Sequence, residues 1–258
     1  MDKKTLLDKT AKSEEERLLL ARVLDRYEQC RARNIPSHTG FLSPAEQAAC
    51  EDLLHAALIR EGWLFTGGYA EAERKVLCFL PDWQEEAESG IVFLRAAYHG
   101  SEKPSHRDIL GSLMGLSLTR EKIGDILVGD AAADVAVSEE VADYLLREWT
   151  GAGRIRLSVA QTDAPDVPAR SVKEIRDTVM SLRLDAVTAS GFSMSRTRAS
   201  ELIRAGKVQK NYRDCLKPDA PVAEGDVISA RGLGKFELAE VGGQSKKGRT
   251  ALLLRRYQ

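Results

Sequence analysis

The chain of 258 residues is 43% hydrophobic and 30% charged, near ordinary globular usage, which excludes a disordered or fibrous protein. Its formal net charge of −1 hides a division, because residues 171–258 hold 17 Lys and Arg against 10 Asp and Glu, while residues 1–170 hold 21 against 29. No apolar run approaches the roughly 18 residues of a membrane span, and the N-terminus lacks the apolar stretch of a secretory signal, so a cytoplasmic protein without a membrane partner is expected.

Two helices open the chain. Ser13 and Glu16 form a capping box ahead of Leu18, Leu19, Val23 and Leu24, and "LSPAEQ" repeats the device with Ser43, Pro44 and Glu46, for a helix expected to stop at Gly62. From Trp63 the texture changes to short apolar runs ending in turns: "WLFTGGY", "KVLCFLP" and "IVFLRAAY". A helix over "SHRDILGSLMGL", a strand at "ADVAVS", a helix from Glu139 to Trp149 and a strand at "RIRLSVAQ" follow, a mixture that reads as α+β or α/β. Pro165 and Pro168 mark "TDAPDVPAR" as a linker. Beyond it, residues 171–192 and 195–206 read as two helices, and "KVQKN", "VISARG", "KFELAEVG" and "TALLLRR" as strands.

The cations concentrate around the second of these late helices. Counting 100° per residue from Arg196, Ala199, Leu202 and Ile203 form an apolar stripe with Arg196, Ser200 and Arg204 beside it. Ser195 is placed to cap, which sets a helix N-terminus with unpaired N–H groups next to Arg196 and Arg198. Gly206 fits a left-handed stop, and Lys207 and Lys210 follow at the start of a strand. Taken alone, such a cluster is also what a solvated helix face looks like.

The motifs narrow the choice. "RLDAVTASGFSMSRTRASELIRAGKVQKN" followed by "VAEGDVISARGLGKFEL" resembles an S4 domain, a small RNA-binding module, over residues 182–240. With "FLSPAEQ", "GGYAEAERKV", "HRDILGSLMGLSLTREKIGDI" and "TVMSLRLD", the chain resembles the YlmH family of S4 proteins along nearly its whole length. That resemblance implies an α+β fold with a helical N-terminal segment (1–62), a central RRM-like α+β domain (63–161), a linker and lead-in (162–180), and a C-terminal S4 (αL-type) RNA-binding domain with an extension (181–258). It implies a role in translation or ribosome quality control, on rRNA and tRNA of the large ribosomal subunit, with no DNA expected. Carried over residue by residue, it places Arg183, Ser195, Arg196, Arg198, Arg204, Lys207, Lys210, Asn211 and Lys235 at the RNA. Tyr212, where the commoner pattern has glycine, either stacks on a base or covers the sheet edge. The tail adds Lys246, Lys247, Arg249, Arg255 and Arg256, as a phosphate contact or a solvated hairpin tip.

Signals of chemistry are sparse. His106-Arg107-Asp108 matches the start of a kinase catalytic loop, but no Asn follows at the needed spacing and no Gly-rich phosphate loop precedes it. His106, Arg107, Arg120 and Lys122 are instead candidates for a second RNA contact, with Asp125 nearby in sequence. Cys30, Cys50, Cys78 and Cys215 show no CxxC spacing, so buried or incidental thiols are expected, with no metal, cofactor or catalytic residue. The expectation is a non-enzymatic RNA-binding protein. Its rivals are an RNA-modifying enzyme with a site near His106, Arg107 and Asp108, and an S4 adaptor acting through protein contacts.

Overall fold

The computed structural model describes residues 2–99, 102–169, 172–245 and 248–257. The chain folds as two compact units, Met1–Pro168 and Ala169–Gln258.

The first unit begins with three capped helices, α1 (Lys3–Thr10), α2 (Glu14–Arg33) and α3 (Pro44–Ala56). Ser13 accepts from Glu16 N at the start of α2, while Ser43 and Glu46 cap α3 reciprocally. The helix α3 stops earlier than Gly62, because Leu58 already takes a left-handed conformation at φ 61°. The apolar faces of the helices, led by Leu20, Val23, Leu53 and Leu54, close on Leu77 and Phe79. Those two residues belong to a small antiparallel sheet ordered β1 (Ser37–His38), β3 (Val76–Phe79), β2 (Trp63–Thr66). The boundary expected at residue 62 therefore falls inside a sheet, since β1 lies before it and the other two strands, its partner β3 and then β2, lie after it.

The rest of the unit runs β4 (Ile91–His99), α4 (His106–Gly115), a 3-10 turn at Arg120–Lys122, β5 (Ile123–Val128), β6 (Ala132–Ser138), α5 (Glu139–Glu148), β7 (Gly151–Ala152) and β8 (Ile155–Thr162). The strands form one antiparallel sheet ordered β5-β6-β4-β8-β7, a β-α-β-β-α-β arrangement apart from the two-residue β7. Both helices cover one face: Ile109, Leu113 and Leu145 pack with Leu94, Ala96, Val135 and Val137, and Trp149 donates to Ser112 Oγ at 2.9 Å. On the opposite face Phe93 and Ala136 are buried with Phe41, Val76 and Cys78, which joins the two sheets into one body.

The second unit holds β9 (Val172–Val179), α6 (Leu184–Gly191), α7 (Arg196–Arg204), β10 (Val208–Lys210), β11 (Arg213–Asp214), β12 (Val227–Ala230), β13 (Gly234–Gln244) and β14 (Thr250–Tyr257). All six strands are antiparallel in the order β11-β10-β12-β13-β14-β9. Leu184, Val187 and Ile203 of the helices bury against Ile228, Phe236, Leu238 and Leu254 of the sheet. One expectation is corrected here: residues 172–179 form a strand, and only the segment from Leu184 is helical. Val172, Ile175 and Val179 recur at helical spacing, but β9 pairs with β14 along its full length, and that ladder outweighs the local period.

Candidate nucleic-acid interface

The start of α7 follows from its sequence. Ser195 stands in extended backbone and its Oγ accepts from Arg198 N at 3.2 Å, so the first turn is capped and its remaining N–H groups point outward. Ala199, Leu202 and Ile203 are buried, as the stripe requires, which leaves Arg196, Arg198 and Arg204 to solvent. Charge collects at one point. Asp185, in the first turn of α6, accepts from Arg196 Nη2 at 2.8 Å and from Arg183 Nε and Nη2 at 3.2 Å each.

Asp185 is buried, while the side chains of Arg183 and Arg196 keep 41% and 54% of their exposure. Burial pushes the Asp185 carboxyl upward, but hydrogen bonds from Arg183 and Arg196 outweigh it and hold the carboxyl below its usual range. Two guanidiniums on one carboxylate leave a net positive charge with restricted geometry beside a helix N-terminus, an arrangement that suits a phosphate. Arg198 pairs with Glu201 at 3.0 Å, both exposed, which costs little to break. Arg204 and Lys207 are exposed, and neither has a carboxylate partner among the described residues.

Lys210 and Asn211 belong to a different construction. Asn211 (φ 50°) and Tyr212 (φ 61°) form the two-residue turn between β10 and β11, both left-handed as such hairpins demand. Asn211 Nδ2 donates to Asp226 Oδ1 at 2.6 Å and its Oδ1 accepts from Val227 N at 2.9 Å. Lys210 Nζ lies 2.8 Å from both Asp226 Oδ2 and Pro221 O. Asp226 also accepts from Ala223 N. Burial raises its carboxyl, yet these partners bring it below the ordinary value. Lys210 and Asn211 thus fix the turn. Lys235 stands over the Tyr257 ring at 5.2 Å and Arg256 over Phe192 at 5.1 Å, while Arg249 donates to Thr178 Oγ1 at 2.8 Å. Arg255 is exposed on β14, whereas Lys246 and Lys247 lie outside the described residues.

In the first unit, α4 opens with a reciprocal cap: Ser105 N donates to Asp108 Oδ2 at 2.9 Å and Asp108 N to Ser105 Oγ at 3.2 Å. The hydroxyl of Ser105 bonds the same carboxylate and holds it below its usual range, so Asp108 is occupied by the helix start. His106 is pushed down by burial and by the nearby Arg120 charge, and is therefore largely neutral at pH 7. Arg107 is exposed beside it, whereas Lys122 is ion-paired with Glu140. Asp125 accepts from Tyr69 Oη at 2.7 Å, Glu73 N at 2.7 Å and Arg74 N at 3.0 Å, which makes it a structural hub. The face of the five-stranded sheet that bears Phe93 also carries Arg95, bidentate to Asp134 at 2.7 and 2.6 Å. Of the two aromatics on β4, Phe93 is buried and Tyr98 packs with the core, so neither offers a ring for base stacking there.

Among the described residues no three His, Cys, Asp or Glu side chains are placed to hold a metal. All four cysteines are free; burial pushes the Cys50 and Cys78 thiols up to about 12, which leaves them unreactive. No helix among the described residues is long and apolar enough to cross a membrane. Sequence reasoning missed Asp185 and Asp226 as hubs, although both stand in the quoted "RLD" and "EGD" triplets.

Residues 100–166 match a family model described as "Putative RNA-binding domain in YlmH". The chain is 36% identical over 225 residues to the "Ribosome-associated protein quality control protein P2" of Bacillus subtilis (strain 168), covering 85% of this chain and 87% of that one. The solved structure of "Cell division protein ylmH from Streptococcus pneumoniae" aligns with a TM-score of 0.50 at 18% identity, over 59% of this chain and 93% of that one, a likeness of fold. On the extent and identity of the Bacillus match, the chain belongs to the YlmH family.

Proposed function

We propose that the protein docks on rRNA and tRNA of the large ribosomal subunit through residues 181–258 acting as an S4 domain, and that it serves ribosome quality control in the cytoplasm without catalysing a reaction. The observation that carries the reading is the pair Arg183 and Arg196 on buried Asp185, beside the capped N-terminus of α7 in the half of the chain that holds the excess cations. Arg198, Arg204 and Lys207 extend this face. Backbone contact and shape, rather than base edges, supply most of the affinity. The names of the Bacillus relative and of the matched family model support association with ribosomes and RNA.

Residues around α4, chiefly Arg107 and Arg120, form the second contact through charge, given that neither Phe93 nor Tyr98 of β4 offers a stacking ring. The enzyme reading is disfavoured because the Asp108 carboxylate is taken up by the cap of α4, where it accepts from the backbone N–H and the hydroxyl of Ser105. Replacing Arg196 and Arg198 together by alanine tests the proposal. Co-sedimentation with large ribosomal subunits is expected to be lost at moderate salt, and the slope of log affinity against log salt to fall by about one unit per lost phosphate contact. Arg183 continues to pair Asp185, so the thermal midpoint stays near wild type. Unchanged sedimentation overturns the assignment.

A further inference from the structure

Beside the arginine pair lies a groove of 460 Å³ between β9 and α6, with Arg196 on its wall. Its apolar lining comes from Ile175 and Val179 of β9 and Ala186 and Ala189 of α6, with Met180 and Met194. Met180 is 61% exposed, unusual for a methionine with a core available next to it. The cations Arg196 and Arg249 line the groove with the single carboxylate of Asp177, which is already bonded to Ser190 Oγ at 2.7 Å, while Arg176 at its rim pairs with Glu174 at 3.9 Å.

Both groove guanidiniums are anchored. Arg196 is held by Asp185, and Arg249 by the hydroxyl and the carbonyl of Thr178. The groove thus joins fixed planar cations, polarizable sulfur and a small-residue surface. That combination recognises a flat, apolar group carrying an adjacent negative charge, which is the description of a nucleotide, and RNA bases do stack on guanidinium planes. The volume lies within the range of small-ligand sites and admits one base with its ribose.

Resting on the RNA-binding reading above, we propose that this groove receives a single unstacked nucleotide of the bound RNA. Its base stacks on Arg196 and lies against Met180 and Met194, and its phosphate meets Arg249. Asp185 is then a positioning residue: it fixes the plane of Arg196 rather than merely balancing its charge.

The test uses the full chain and two RNA hairpins with the same stem, one bearing a single bulged 2-aminopurine and the other fully paired. The wild-type protein is expected to bind the bulged hairpin about tenfold tighter, with a change in 2-aminopurine fluorescence, as one stacked base provides. Met180→Glu, at an exposed position, should abolish that preference while keeping the thermal midpoint. Asp185→Asn should abolish it too, even though removing a carboxylate adds net positive charge and by simple attraction would tighten binding to both hairpins. Tight and equal binding of the two hairpins by the wild type overturns the groove and leaves the RNA reading standing. A preference that survives Met180→Glu also overturns it, as does displacement of the bulged hairpin by a polyglutamate peptide but not by excess mononucleotide. Failure to bind either hairpin removes both readings.

Discussion

Asp185 and Asp226 each gather partners that outweigh the cost of burying a carboxylate, and the sign of their effect on stability follows. Each carboxyl titrates below its ordinary value in the folded protein, so its contribution is fully present above the unfolded value near 3.8 and is lost as pH falls through the folded one. Replacing Asp226 by Asn strips Lys210 of its counter-charge and is expected to cost about 1–3 kcal/mol at pH 7. Urea midpoints measured from pH 7 down to pH 2 should show that gap closing in acid; a gap constant with pH would contradict the role. Leu58 shows the opposite situation: it occupies the left-handed position that ends α3, where glycine is favoured, with 74% of the residue exposed. Leu58→Gly relieves about 1 kcal/mol of backbone strain while losing few contacts, and differential scanning calorimetry should show a higher midpoint.

At the scale of elements, the contact between α6 and the sheet depends on one missing side chain. A Cβ on Gly191 would fall 2.3 Å from the Phe236 ring, itself fully buried and set edge-on to Phe192. Gly191→Ala should therefore destabilise the protein by about 1–3 kcal/mol through overpacking, against the usual gain from removing a helical glycine, and chemical denaturation reads the sign. The helices with caps were legible before the structure: Ser13, Ser43 and Ser195 each accept from the backbone at the position their sequence announced. Of the candidate site, α7 and its arginines were legible for the same reason, since cap and stripe are local. The strand β9 was not, because its partner lies far along the chain and its apolar spacing imitates a helix. The two aspartate hubs escaped too, as a carboxylate in "RLD" or "EGD" looks like any surface acid until its burial is known. Lys210 and Asn211, expected at the RNA, are bound to such a hub for that reason.

The whole molecule divides after residue 168, inside the stretch that Pro165 and Pro168 mark as a linker, and not at residue 62, where the texture of the sequence changes. Separation after residue 168 should yield two soluble pieces, each with a cooperative unfolding transition, of which 169–258 keeps salt-sensitive RNA binding. Separation after residue 62 strips the small sheet of β1 and its helices of the strands they cover, so both pieces should aggregate or lack a sharp transition in circular dichroism. Two soluble pieces from the second cut would contradict the fold.

The order of the second sheet has one more outcome, during synthesis. β9 leaves the ribosome long before β14, the strand that completes it; Thr178 and Arg249, which clasp each other in the finished protein, stand 71 residues apart. Through that interval the nascent segment waits with an unsatisfied backbone edge, open to mispairing with other chains. Lys173, Glu174, Arg176 and Asp177, set among its β-branched residues, act as gatekeepers that keep the waiting strand solitary.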